Sequence, residues 1–467
     1  MLTHQLPGLT RPWRSLAAAA AVAALAAPLA AGHARSSAQA TVKVVSYRGY
    51  SFKVPRSWPV IHLGGSAQTC VRFNMHAVYV GDPASNQSCP SLLVGTTEAI
   101  LIQPGSASPP RSSVEDPVAR LITVTAPRIA VTATFDTDPS QVDRILASAS
   151  LPAPVVSAPN PAAAATMAAV MPGGPAPVPS APFSMVLTSL TPQASAETAA
   201  ATSLPEKVAN YKGLGFDACT APSTRYMKAW LKKSAYRAVG VYIGGSDEAC
   251  AQPNLTRKWL ATEAAAGWHF MPMYVGPQAE FGELGVHPGH QGRAAANDAV
   301  TQAERLGFGA GTPLYYDMEA YPPGDNGKAM RFLSSWTSRI RALGYSSGIY
   351  SSSSAAVASL ARQYSTHRYA QPNVIFDALW NGAKNTADPV IKAKDWAHHH
   401  RVHQFAGNIA QSYGGDTINI DQDYLNVKLS GSDPPSYVDD ASTAHVFHRR
   451  TAGRPGTSTN GRGRAHE

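Results

Sequence analysis

The sequence predicts an α/β protein whose largest domain, residues 206–430, is a TIM (β/α)8-like barrel, preceded by a small β-rich domain and a disordered Ala/Pro linker. Two observations support the barrel. Eight short runs rich in β-branched and aromatic residues follow one another along this segment, and helical stretches with apolar residues three and four positions apart separate them. A doubly wound open sheet is the alternative, but the first run lacks the third glycine of a phosphate-binding fingerprint.

The eight runs are expected to be the strands of the barrel. Each has the length of a strand and is bounded by residues that favour turns. In order, they are GLGFDAC (213–219), AVGVYIGG (238–245), WHFMPMYVG (268–276), PLYYDMEAY (313–321), SSGIYSSS (346–353), VIFDALWNG (374–382), RVHQFAG (401–407) and TINIDQDYL (417–425).

Helix boundaries are predicted between several of these runs. Serine, aspartate and asparagine favour the residue before a helix, and glycine favours the residue after it, because glycine adopts the left-handed backbone at little cost. The predicted helices are one capped by Ser223, 255–266 ended by Gly267, 294–306 ended by Gly307, and one capped by Asp325 or Asn326 and ended by Gly344.

The rest of the chain divides into four segments. Residues 1–40 are typical of a secretion signal, with a basic start, an Ala/Leu-rich core that is short for a membrane span of ~20 residues, and small-residue cleavage candidates; an uncleaved membrane anchor is the alternative. Residues 41–150 carry the alternating runs of the small β-rich domain. Residues 151–205 form the Ala/Pro-rich linker, and residues 431–467 form a disordered basic tail.

Composition narrows the function classes. The net charge is +9, but part of the excess lies in the two ends, so it does not indicate a nucleic-acid partner for the folded domains. The sequence has no glycine-rich loop followed by Lys-Ser/Thr and no Gly-x-Ser-x-Gly motif, which argues against a phosphate site and a serine nucleophile. No transmembrane segment is expected once the signal is removed, and no cofactor is predicted.

Four cysteines are expected to pair, because an exported chain folds under oxidising conditions. Their order along the chain favours one disulfide within the β-rich domain and one within the barrel. The predicted bonds join Cys70 to Cys89 and Cys219 to Cys250.

The fourth run carries two acids near its end. Side chains two apart on a strand share a face, so Tyr315, Asp317 and Glu319 point one way. Acids would not face the apolar helix layer, so both are expected inside the barrel. Because the strand ends there, they lie at its carboxyl-terminal mouth, where barrel active sites are built.

Other runs bring further polar groups to the same mouth. Asp217 ends the first run and Asp421 lies in the eighth. Two carboxyls in different protonation states suit glycoside hydrolysis, with Glu319 as the general acid and Asp317, Asp217 or Asp421 as the ionised partner. The alternative is that these acids only bind main chain around the mouth. The residues expected to line the mouth and bind substrate are Tyr274, Tyr315, Tyr321, Tyr350, Trp380, Gln404 and Asp423.

Several short motifs together resemble a known family. GFDACTAPS, YYDMEAY, GIYSSS, ALWNG, HQFAG and IDQDYLN are similar to the glycoside-hydrolase-like domain of actinobacterial secreted proteins, across residues 211–427. That family has a TIM barrel, is of largely undefined function, and is distantly similar to the Chalaropsis-type lysozymes. The resemblance implies Glu319 as the catalytic acid, Asp317 as its paired acid, and Asp217 and Asp421 as supporting carboxylates.

Three hypotheses follow. The first is a secreted or envelope-associated glycoside hydrolase acting on cell-envelope glycan, with peptidoglycan as a candidate substrate. The second is a non-catalytic carbohydrate-binding or envelope-remodelling protein that keeps the cleft. The third is a metal-dependent hydrolase built on the run that holds His398, His399, His400 and His403; it requires a helix that brings His399 and His403 to one face. The sequence does not indicate an oligomeric state.

Overall fold

A computed structural model describes residues 41–64, 68–91, 93–156, 204, 207–366 and 368–429. The described residues from Val42 onward belong to one compact unit. The predicted secretion signal at 1–40, most of the predicted linker at 151–205 and the predicted tail at 431–467 lie outside the described residues.

The amino-terminal part is β-rich. Strands β1 and β2 form an antiparallel pair, and β3 to β9 form a second sheet in the order β3-β4-β5-β8-β7-β6-β9. Helix α1 buries Val142, Ile145 and Leu146 in an apolar core that includes residues of both sheets. The elements are β1 (Val42–Tyr47), β2 (Tyr50–Pro55), β3 (Val60–Leu63), β4 (Ala77–Gly81), β5 (Ala99–Pro104), β6 (Ser112–Asp116), β7 (Leu121–Ala126), β8 (Ile129–Thr134), α1 (Ser140–Ser148) and β9 (Val155–Val156).

The second part is a closed barrel of eight strands, β10 to β17, in sequence order. All eight predicted runs form its strands. The elements are β10 (Tyr211–Asp217), α2 (Thr224–Lys233), β11 (Ala238–Gly244), α3 (Arg257–Ala266), β12 (His269–Tyr274), α4 (Pro288–Leu306), β13 (Pro313–Asp317), α5 (Asn326–Ala342), β14 (Ser346–Ser352), α6 (Ala356–Gln363), β15 (Val374–Ala378), β16 (His400–Tyr413) and β17 (Asp416–Val427).

The prediction of a TIM (β/α)8 barrel is wrong. Neighbouring strands from β10 to β16 run parallel, but β17 is antiparallel to both of its neighbours, so the barrel is mixed. The described residues contain six α-helices, of which five lie between barrel strands, and one short 3-10 helix, Pro323–Asp325, between β13 and β14. No helix joins β15 to β16 or β16 to β17.

Local sequence explains where the repeat fails. Gly414 and Gly415 both have positive φ, 65° and 86°, which is the backbone of a two-residue hairpin turn. They fold β17 directly back on β16. The segment 379–399 contains Gly382 and Pro389 and lacks an apolar helical period, so it forms an irregular loop after β15.

Helix ends follow the predicted signals in part. Gly267 and Gly307 take left-handed backbone after α3 and α4, and the side chain of Thr256 caps α3. Ser223 precedes α2, but its side chain makes no capping hydrogen bond. Helix α4 begins at Pro288, six residues before its predicted start, because proline is well suited to a first helical turn. Among the described helices, none combines the length and apolar character that a membrane crossing requires.

Two apolar cores result from strand alternation. One lies between the strands and the helices and contains Trp230 and Trp336. The other fills the barrel interior and contains Met271, Met273 and Tyr315. The buried acids of the barrel, among them Asp217 and Asp317, lie at the carboxyl-terminal end of this inner core.

Candidate active site

Successive side chains of strand β13 alternate between the outer and the inner face of the barrel. Leu314 and Tyr316 are buried in the outer core against helix α5. Tyr315 is buried in the inner core, and Asp317 is only 1% exposed. The strand ends at Asp317, so Glu319 follows it and is partly exposed at the mouth.

Five acids form what we call the carboxyl cluster: Asp217, Asp317, Glu319, Asp421 and Asp423. Asp217 is paired in register with Asp421 across β10 and β17. Burial, and then the charges of Glu319, Asp217 and Asp421, raise the pKa of Asp317, so these groups are close enough to interact electrostatically. The side chains of all but Glu319 are buried.

Asp217 and Asp423 contact each other directly. Burial, and then the charges of Asp217 and Asp421, raise the pKa of Asp423 well above its ordinary value. Among the described residues, no N–H or hydroxyl donates to either carboxyl oxygen of Asp423. The two carboxyls can therefore hydrogen-bond to each other only when one of them carries a proton.

Gln404, on strand β16, orients Asp217 on β10. Its Nε2 donates to Asp217 Oδ2 at 3.0 Å. Its Oε1 accepts from Tyr350 Oη at 3.1 Å and from Trp380 Nε1 at 2.9 Å. Tyr242 Oη adds a second donor to Asp217 at 3.2 Å. These donors hold the Asp217 carboxyl in one orientation.

Asp317 and Glu319 depend on Gln278 for their backbone positions. Gln278 Nε2 donates to the carbonyl of Asp317 at 2.8 Å, and Gln278 Oε1 accepts from the amide of Glu319 at 2.9 Å. Asp317 Oδ1 and Glu319 Oε1 have no hydrogen-bond partner among the described residues. Burial and the charge of Asp421 raise the pKa of Glu319 to about 7.

Asp421 accepts two hydrogen bonds, as many as Asp217 does. Ser91 Oγ donates to Asp421 Oδ1 at 2.7 Å, and the amide of Asn408 donates to the same oxygen. Burial raises the pKa of Asp421, while these two hydrogen bonds act in the opposite direction. The ionised form is therefore better supported at Asp421 than at Asp423.

Residues 228–425, less than half of the chain, match the family model of the Rv2525c-like, glycoside hydrolase-like domain. The barrel carries a glycoside hydrolase-like domain. The match confirms the resemblance found from the short motifs. Asp317, Glu319, Asp421 and Asp423 lie within the matched segment, and Asp217 lies before it.

Several solved structures are similar to the chain at low identity. An uncharacterized B. stearothermophilus protein is 17% identical, with a TM-score of 0.34, over 45% of this chain and 95% of that one. The Mycobacterium tuberculosis Tat-secreted protein Rv2525c is 14% identical, with a TM-score of 0.35, over 46% and 96%. The modular autolysin LytC from Streptococcus pneumoniae is 12% identical, with a TM-score of 0.32, over 46% and 47%. Similarity at this level says nothing further about this chain. No curated protein matches the sequence.

Trp380 presents a ring to solvent at the mouth of the glycoside hydrolase-like domain. Its side chain is 53% exposed, and its ring lies directly over Gly407, where a Cβ atom would be 2.0 Å from the indole. The indole N–H is held by Gln404. A flat, half-exposed ring tied to the carboxyl cluster is a suitable platform for the face of a sugar.

Two predicted lining residues lie elsewhere. Tyr274 is buried in the outer core, stacked on Trp336, and its hydroxyl donates to Asp298 at 2.8 Å. Its predicted place at the mouth is wrong because Met271 and Met273 are the inward residues of β12, which sends Tyr274 outward. Tyr321 also packs in the outer core.

The histidine run does not form the helix that a shared metal site requires. His398 and His399 have positive φ, and β16 begins at His400. His399 contacts Asn426, whereas both ring nitrogens of the buried His403 face the carbonyls of Asn385 and Leu379. His399 and His403 therefore contact different partners and do not share one face of a helix.

The disulfide predictions are confirmed. Cys70 is bonded to Cys89, and Cys219 to Cys250. The two bonds pack together in one buried cluster, which fastens the loops after β10 and β11 to the β-rich part. Sequence reasoning missed Ser91, Tyr242 and Gln278, since none of them stands beside a catalytic motif.

Proposed function

We propose that this protein is a secreted glycoside hydrolase that cleaves O-glycosidic bonds of cell-envelope glycan, with peptidoglycan as the substrate class, by carboxylate acid/base catalysis. One observation carries the proposal. Glu319, the partly exposed member of the carboxyl cluster, has a pKa of about 7 because of burial and the charge of Asp421. A general acid works best when its pKa is near the working pH.

We assign three roles within the cluster. Glu319 gives its proton to the glycosidic oxygen as the bond breaks. Asp421, with hydrogen bonds from Ser91 and from the amide of Asn408, is the ionised group that stabilises the developing oxocarbenium ion. Burial raises the pKa values of Asp217 and Asp317 well above their ordinary range, so the ionised role is assigned to Asp421, while Asp217 and Asp317 orient the site.

Other observations support the substrate class and location. The match to a glycoside hydrolase-like domain agrees with a glycan substrate. The resemblance of the motifs to Chalaropsis-type lysozymes favours a cell-wall glycan. Both disulfides are typical of chains that fold under oxidising conditions, as a secreted protein does.

The pH dependence of hydrolysis tests the proposal. Because Glu319 must be protonated to act, kcat/KM for purified peptidoglycan is expected to fall about tenfold per pH unit above pH 7. Released reducing ends would be measured from pH 4 to 9 with the full chain. Glycan binding without reducing-end release at any pH would remove the hydrolase proposal.

The second candidate is a carbohydrate-binding protein that keeps the cleft without cleaving. Its supporting observation is burial: Asp217 and Asp423 are 0% exposed, and Asp317 and Asp421 are 1% exposed. Sedimentation with insoluble glycan, combined with the reducing-end assay, separates the two candidates, because only the hydrolase gives both signals.

Replacing Trp380 with alanine is expected to weaken glycan binding by about 5- to 30-fold, since loss of an aromatic anchor costs ~1–2 kcal/mol. The half-exposed ring contributes little to the core, so the folded state should persist. Trp380→Phe is the matched control. It keeps a ring but loses the N–H that Gln404 accepts, and we expect it to bind close to wild type. Equal binding by all three proteins would exclude Trp380 from the glycan site.

A further inference from the structure

The β-rich part reaches into the carboxyl cluster. Ser91 Oγ donates to Asp421 at 2.7 Å, across 330 positions of sequence. Two isolated bridges, Arg72 with Cys250 and Val94 with Glu248, fasten the same part to the loop after β11. The family match begins only at residue 228, so these contacts come from outside the matched segment.

Arg120 makes a second connection. It lies between β6 and β7 and is held at φ 51°, a left-handed backbone that costs free energy at a residue other than glycine. Its Nη1 donates to Glu283 Oε1 at 3.0 Å and lies 3.5 Å from Asp247 Oδ1. The guanidinium is only 15% exposed, so this is a largely desolvated contact.

The contact continues to the catalytic strand through two residues. Glu283 uses its second oxygen, Oε2, to accept the backbone amide of Gln278 at 2.7 Å. Gln278 is fully buried, and its side chain holds the carbonyl of Asp317 and the amide of Glu319. An unbroken series of hydrogen bonds therefore runs from Arg120 to the backbone of Glu319.

Charge explains why Arg120 is needed. Burial and the hydrogen bond to Glu283 raise the pKa of Asp247 to about 9, so Asp247 keeps its proton at neutral pH. Two other acids face Arg120: Glu283 at 3.0 Å and the half-exposed Asp136 at 3.5 Å. Removing one partner of a buried ion pair leaves an uncompensated charge. Glu283 lies in the loop 275–287 between β12 and α4, and we expect this loop to move so that the charge reaches solvent. Gln278 lies on that loop.

We propose that Arg120 is a positioning residue for Glu319, acting through Glu283 and Gln278, and that the β-rich part thereby completes the active site. Its effect on catalysis rests on the proposed function. Its effect on the backbone at Glu319 does not.

Hydrogen–deuterium exchange of the full chain tests the connection without any activity. In Arg120→Met, we expect the amide of Glu319 to exchange about tenfold faster or more than in wild type, because Gln278 releases it, while amides of β15 keep their rates. Arg111→Met is the matched control, since Arg111 is exposed in the same part of the chain and the charge change is identical. Unchanged exchange at Glu319 in Arg120→Met would overturn the proposal.

A second variant tests the proposal if Arg120→Met does not fold. If Arg120→Met does not fold, Arg120→Gln, which removes the charge but keeps a polar side chain, decides: exchange at Glu319 between wild-type and unprotected rates supports the connection, and wild-type exchange overturns it.

Kinetics separates this proposal from the proposed function. With an active wild type, Arg120→Met should lower kcat at unchanged KM, and Arg120→Lys should restore part of it. A wild type without hydrolysis removes the proposed function, but the exchange result still decides the role of Arg120. An active wild type with normal exchange and kcat in Arg120→Met removes only the positioning role.

Discussion

Replacement of Glu319 with glutamine is expected to lower kcat for glycan hydrolysis by about 10²- to 10⁴-fold, the range that general acid catalysis contributes. Glutamine has the same shape but cannot give up a proton. The fold should persist, because Gln278 binds the backbone amide of Glu319 rather than its side chain. Reducing-end release at saturating glycan measures kcat, and sedimentation measures whether binding is retained.

Glu280 provides the control for this substitution. It is exposed, and it lies close enough to Glu319 for its charge to raise the pKa of that group. Glu280→Gln removes the same charge near the same place, so we expect a change in kcat of a few-fold at most. A Glu319→Gln protein with more than half of the wild-type kcat would show that another group supplies the proton.

The strands of the barrel could be predicted because each carries its own local signal. Alternation along PLYYDMEAY also placed Tyr315 and Asp317 inside, since one face must meet apolar helices. Strand direction is different, because it depends on the connections. Gly414-Gly415 is a hairpin signal that reverses β17, and the prediction, which rested on the count of eight similar runs, did not include it.

The candidate site could be predicted only where its residues belong to the eight predicted runs. Asp217, Gln404 and Asp421 are held together by strand register and hydrogen bonds, and their places within the predicted runs indicated them. Ser91 and Arg120 come from the β-rich part, so no spacing within the barrel motifs points to them. Tyr274 was misplaced although alternation along HFMPMY contradicts its inward position.

Replacement of Asp423 with asparagine is expected to stabilise the protein at pH 8 and to have much less effect at pH 4.5. Asp423 is fully buried beside Asp217, and the two acids can hydrogen-bond to each other only if one of them carries a proton. An asparagine amide donates to Asp217 without that proton. The unfolding temperature at the two pH values, by calorimetry, measures the effect, with Asp82→Asn as an exposed control.

The sign follows from proton linkage. The pKa of Asp423 in the folded state lies well above its ordinary value of 3.8, so the folded protein keeps a proton that the unfolded chain has lost. Stability contributed by this group is present below about pH 4 and falls as the pH rises toward the folded-state pKa. Each unit of the shift is worth ~1.4 kcal/mol, or about 2 °C or more in unfolding temperature. Asparagine does not titrate, so the variant avoids this fall in stability at pH 8. If the unfolding temperature changes equally at both pH values, or falls at pH 8, then Asp217 and Asp423 do not share a proton.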